Sequence, residues 1–125
     1  MVSGLLDTPI LIDILRGYEP AGAWILGQIS LGISPGVWME LIVGARNKEN
    51  QLKANSPLKR FEMVYLTEAD QLWAMQQMTS YALSHGVGIL DCLIAAPSHR
   101  LQLPLYTHNS KHFSPLLGDL VQKPY

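Results

Sequence analysis

Residues 2–17 read VSGLLDTPILIDILRG, and their punctuation decides the architecture of the chain. Val2 to Leu6 is a short apolar run closed by an acid, Asp7. A run of that kind reads as a strand buried on both faces. Ile10, Leu11, Ile14 and Leu15 then recur at helical spacing. Thr8 is expected to cap that helix, with Pro9 in its first position, where a missing N–H is harmless, and Gly17 ending it.

Outward from this unit, the pattern repeats. A helical run from Ala21 to Gln28 precedes a second apolar stretch, Leu31 to Ser34. Ser34-Pro35-Gly36 is a cap followed by proline, and it opens a helix through Trp38, Leu41, Ile42 and Ala45. The polar segment Asn47 to Lys59 reads as a weaker, exposed helix. Phe61 to Leu66 supplies a third strand, and Thr67 caps a long helix that runs to His85 and stops at Gly86. A last unit starts at Gly88-Ile89-Leu90-Asp91, continues as a helix through Ile94 and Ala95, and passes into a strand at Leu103 to Thr107. A turn at His112-Phe113 and the tail Leu120 to Gln122 close it. Strands alternating with helices of these lengths predict an α/β fold: a three-layer sandwich with a mainly parallel central sheet and helices on both faces. The 125 residues are expected to form a single domain over 1–125.

Bulk properties exclude several classes. With 48% hydrophobic and 15% charged residues the chain is not compositionally disordered. A net charge of -1 and a pI near 6.4 exclude a protein that coats nucleic acid by charge alone, but not an enzyme with a local basic patch. One cysteine, Cys92, excludes a disulfide framework and a multi-thiolate zinc site, and reads as a small buried apolar residue. The start, MVSGLLDTPILID, has neither a basic leader nor an uninterrupted apolar run, and no stretch approaches the ~20 apolar residues of a membrane span. A soluble, cytoplasmic protein with no membrane association is expected.

In parallel sheets ligands bind beyond the carboxyl ends of the strands, so acids placed there carry information. Asp7 directly follows the first strand, Glu40 lies in the helix after the second, and Asp91 opens the helix after the long one. Each taken singly also suits a bland role, complementing a helix dipole or capping a helix. Together they suit a hard divalent cation, Mg²⁺ or Mn²⁺, which relieves carboxylate repulsion and can activate water against a phosphodiester.

The local contexts of these acids narrow the choice. LLDTPILIDILRG (5–17) resembles the opening strand and helix of VapC-like PIN domains, WMELIVGA (38–45) their second acidic segment, and DCLIAA (91–96) with LQLPLYTHNSKHF (101–113) their third and fourth. The tail LVQKPY (120–125) extends the resemblance over essentially the whole chain. The resemblance implies an Mg²⁺- or Mn²⁺-dependent endoribonuclease, the toxin of a VapBC-type toxin–antitoxin pair, with RNA as substrate, a cognate antitoxin as partner and a homodimer as assembly. It makes Asp7, Glu40 and Asp91 the metal-binding acids and places Asn109 at the fourth catalytic position, just after Thr107. That position is commonly Asp in the family, so a neutral Asn109 implies one firmly bound ion. Pro9 stands where the family usually has Asn, and Pro97 falls inside the helix begun at Asp91, which is expected to kink or break early. These departures motivate a second reading, a catalytically weakened PIN domain that acts as a protein- or RNA-binding module.

Other residues carry weaker expectations. Asp13 reads as an exposed or helix-pairing acid, and Arg16 as a helix-end cation. His108, Lys111 and His112 suit either phosphate contacts or an exposed loop. Trp24, Trp38 and Trp73 sit in helical patterns and read as core or interface anchors.

Overall fold

The computed structural model describes residues 1–125, except for the side chains of residues 54–56. Five short strands form one sheet: β1 (Gly4–Leu6), β2 (Leu31–Ile33), β3 (Glu62–Met63), β4 (Leu105–Tyr106) and β5 (Val121–Gln122). Seven α-helices connect them: α1 (Thr8–Leu15), α2 (Glu19–Ile25), α3 (Pro35–Gly44), α4 (Lys48–Leu58), α5 (Glu68–His85), α6 (Ile89–Leu101) and α7 (Ser110–Leu117). The sheet order is β3-β2-β1-β4-β5, and every adjacent pair is parallel. This is the expected three-layer α/β sandwich.

The chain builds outward from β1 to β2 and β3, then returns to the other side of β1 for β4 and β5. The reversal lies between β1 and β4, and a crevice opens at such a switch point beyond the strands' carboxyl ends. Asp7 and Thr107 are the first residues past those two ends. The core beneath them is built from Leu5, Leu6, Ile33 and Leu105 of the sheet, with Ile10, Leu11, Val37, Ile94 and Phe113 of the helices, all 3% exposed or less.

Neighbouring strands also press on β2. A Cβ added at Gly32 would lie 2.8 Å from a Val64 methyl and 3.0 Å from a Leu5 methyl. A Gly32→Ala chain is therefore expected to lose about 1–2 kcal/mol through overpacking, read as a lower urea midpoint with an unchanged slope. Full stability in that variant would show that the contact is relieved by rotating the Val64 side chain.

Several expectations are corrected here. The cap of α1 is Asp7 and not Thr8: the Asp7 carboxylate accepts the Thr8 N–H at 2.8 Å, which moves Pro9 to the second helical position. Helix α6 neither breaks early nor stops at Pro97, but continues to Leu101 with Pro97 buried within it. The turn expected at His112-Phe113 is the middle of helix α7, which Asn109 caps through the His112 N–H at 3.4 Å. That helix forms despite Pro115 because Phe113, Leu116 and Leu117 recur on one face and are all buried. Strand β3 is only Glu62–Met63, shorter than Phe61 to Leu66.

A candidate acidic site at the switch point

Asp7, Glu40, Asp91 and Asn109 line one cavity of about 360 Å³, together with Thr8 and Pro9. Four elements deliver them. Asp7 ends β1 and caps α1, Glu40 projects from α3, Asp91 lies in the first turn of α6, and Asn109 caps α7. The bland and the functional readings of Asp7 and Asp91 thus coincide, because capping is what fixes each carboxylate at the cavity wall.

Each acid is held by named donors. Asp7 is 5% exposed; one oxygen accepts the Thr8 N–H and the other accepts the Thr107 hydroxyl at 2.7 Å. Thr107 in turn accepts the Asn109 N–H at 2.9 Å, so β4 aligns both residues through one hydroxyl. The Thr8 hydroxyl donates to Glu40 at 2.5 Å and ties α1 to α3. Asp91 accepts the Gly88 N–H at 3.0 Å and lies 3.2 Å from Nδ1 of His112, which also stands 3.2 Å from the Asn109 amide nitrogen.

Burial pushes the Asp7 carboxyl above its ordinary value of 3.8, and the charges of Glu40 and Asp91 push the same way. Hydrogen bonds from Thr107 and Thr8 oppose them. Asp7 therefore feels both other acids, and a cation beside it would reverse the local field. Among the described residues, no three His, Cys, Asp or Glu side chains stand close enough together to hold one ion. The all-oxygen donor set nevertheless suits Mg²⁺ or Mn²⁺. Mg²⁺ keeps several waters and takes only one or two carboxylates directly.

Asp7, Glu40, Asp91 and Asn109 come together, and Pro9 forms part of the wall. His112, expected either to contact phosphate or to sit in an exposed loop, is a half-buried neighbour of Asp91 and Asn109 on a helix. Thr8 was expected only as a cap, and its hydroxyl instead joins Glu40. Nothing in the sequence pairs residues so far apart. Asp13 and Arg16 form an ion pair at 3.1 Å outside the cavity. Cys92 is 1% exposed and packs on Met78, and burial raises its thiol, which fits a structural residue. Trp24, Trp38 and Trp73 all pack against the core.

The sequence model of the PIN domain matches residues 4–114. The chain belongs to the PIN domain family. PIN domains are in general nucleases, which places the chain among hydrolases of that kind. Solved structures resemble this PIN domain over nearly its whole length. One is a toxin-antitoxin complex from Klebsiella pneumoniae, 26% identical with a TM-score of 0.82 and 98% of each chain covered. VapBC2 from Rickettsia felis, bound to a DNA fragment from its promoter, is 21% identical with a TM-score of 0.81, again covering 98% of each chain. VapBC-1 from nontypeable Haemophilus influenzae is 23% identical with a TM-score of 0.80 over the same share of each chain. A comparison with curated proteins finds no match. The family match ends before the tail, so β5 and its neighbours are carried by the likeness in fold.

Proposed function

We propose that this PIN domain, a single domain over 1–125, is a divalent-cation-dependent endoribonuclease and the toxin of a VapBC-type toxin–antitoxin pair. The observation that carries the reading is the convergence of Asp7, Glu40, Asp91 and Asn109 on one cavity at the switch point. Mg²⁺ or Mn²⁺ would be held among Asp7, Glu40 and Asp91, by one or two of these carboxylates directly and by the rest through retained water. When bound, the cation supplies charge neutralisation at the phosphodiester and an acidified water.

The protein's own contribution is to hold the acids ready. Thr107 and the Thr8 N–H fix both Asp7 oxygens, the Thr8 hydroxyl fixes Glu40, and Gly88 with His112 fixes Asp91. Such preorganisation lets the site act without rearranging as charge develops. Asn109 at the fourth position could hold a metal-bound water but supplies no charge, so one firmly held ion is the expectation.

Two further surfaces fit the toxin reading. An apolar cleft of about 530 Å³, lined by Ile12 and Leu15 of α1, Leu41 of α3 and Pro57 of α4, suits the helix of a small cognate antitoxin. Exposed Leu72, Met75 and Ile89 along α5 and α6 offer an apolar face for a homodimer. Among the described residues no helix is long and apolar enough to cross a membrane, in keeping with the proposed cytoplasmic location.

Calorimetric titration with Mn²⁺ is expected to show saturable binding at a stoichiometry of about one ion, in line with the limited carboxylate set. RNA cleavage should stop in a chelator and return on adding Mn²⁺, with DNA cut far more slowly in parallel. If no Mn²⁺ is taken up, the alternative of a binding-only PIN domain replaces the enzyme reading. If DNA is cut as fast as RNA, the substrate assignment is wrong.

A further inference from the structure

A recess of about 420 Å³, separate from the acidic cavity, is bordered by Asp13, Arg16, Tyr18, His108, Lys123 and Tyr125. Its size is within the range of small-ligand sites. His108, which lines the recess, stands in the chain between Thr107, which binds Asp7, and Asn109, which lines the acidic cavity. A second hollow of about 470 Å³ shares His108 and Lys123 and continues the trough past Ser110, Ser114 and Asp119.

We infer that this recess holds the nucleotide flanking the scissile phosphate, with its base against Tyr18 and its phosphate between Arg16 and Lys123; the inference rests on the ribonuclease reading above. Aromatic faces accept any base, and exposed cations track the backbone of a single strand. Tyr18 is 43% exposed, with the Arg16 guanidinium 5.1 Å from its ring centre. Tyr125 meets His108 edge-on at 4.7 Å and Tyr18 at 6.0 Å, which gives the recess an aromatic wall.

Asp13 is the acid at this site, and its charge is already engaged. One oxygen pairs with Arg16 at 3.1 Å and the other accepts the Tyr125 hydroxyl at 2.6 Å. The Arg16 side chain is still 62% exposed, and a guanidinium has five N–H donors, so donors remain for a phosphate. The chain as a whole carries a net charge of -1, and a local cationic rim of this kind is what a nucleic acid would need.

The rival explanation is a staple that fastens the tail to α1 through Tyr125 and Asp13. Tyr18→Ala and Lys123→Gln leave that staple intact, and Tyr125→Phe breaks it. Binding of a fluorescein-labelled single-stranded RNA of about ten nucleotides, a length such grooves track, is measured by anisotropy in a chelator, so that no cleavage is needed. Tyr18→Ala is expected to weaken binding about ten-fold, as for the loss of one stacked base. Lys123→Gln should lower the slope of log K against log salt by roughly 0.7, the value for one phosphate contact of a single strand. In Mn²⁺ both should raise KM with kcat held, and neither should shift the melting temperature, whereas Tyr125→Phe should shift it.

The outcomes separate the two readings. Unchanged RNA affinity and unchanged KM in both variants overturn the recess, even if the parent cuts RNA well. A parent that cuts no RNA, yet binds it with the losses described, supports the recess and overturns the nuclease.

Discussion

An Asp7→Asn chain should lose RNA cleavage by about a thousand-fold, comparable to removing a preorganised charge from a catalytic site, while melting at a higher temperature than the parent in chelator. Asparagine can still accept the Thr8 N–H, so the cap of α1 survives. What disappears is a buried carboxylate repelled by Glu40 and Asp91. The gain in stability is expected to be on the order of 1 kcal/mol, as when an active-site constraint is released.

Its sign changes with pH in a defined way. The folded Asp7 carboxyl lies above the ordinary 3.8, so the folded chain holds the proton more tightly than the unfolded chain. Below 3.8 both states are protonated and Asp7 has no effect on stability. As pH rises from 3.8 toward the folded value, the unfolded chain ionises first and the parent loses stability; the penalty is complete above the folded value. The advantage of Asp7→Asn should therefore be full at neutral pH and fade toward 3.8 in thermal melts. A variant that melts lower than the parent at neutral pH would show that the hydrogen bonds from Thr8 and Thr107 outweigh burial.

The largest loss of stability is expected from Asp70→Ala, far from the acids. Asp70 is 2% exposed and joins the start of α5 to the end of α6. Its carboxylate accepts the Thr67 N–H at 3.0 Å and the Arg100 Nε at 3.0 Å, while its own N–H donates to the Thr67 hydroxyl at 3.1 Å. Alanine removes half a capping box and strands a guanidinium that also donates to the Tyr65 carbonyl at 3.4 Å. Breaking a buried pair costs about 3–5 kcal/mol, and because the Arg100 side chain is 32% exposed the lower end, about 3 kcal/mol, is expected. Urea unfolding should show a lower midpoint with an unchanged slope. Adding Arg100→Met should recover part of the loss by removing the unpaired charge. A loss below about 1 kcal/mol would class the pair with solvent-screened surface bridges.

How much of this was readable in the chain depends on the range of the interaction. Ser34-Pro35 and Thr67 through Gly86 were legible because capping and termination are local, and the structure puts Ser34, Thr67 and Gly86 at those helix ends. Helix α7 was not legible, because Pro115 breaks the local pattern and only tertiary burial of Phe113, Leu116 and Leu117 restores it. The strands came out longer in the sequence than in the sheet, since apolar residues extend past the last ladder bond. At the candidate site Asp7 stood out by its place after a strand, and Glu40 and Asp91 by the segments around them. Thr8 on Glu40 and His112 on Asp91 did not, because they meet only through the packing of separate helices.

The hydrogen bond from Thr107 to Asp7 joins residues 100 positions apart. Closing so long a loop is slow compared with forming a helix, and domains fold as their segments leave the ribosome. A nascent chain that has made β1, α3 and α6 holds three of the acids on separate elements, but lacks the strand that aligns the first of them. Under the proposed function, the acids become a working set only once β4 has followed them out of the ribosome.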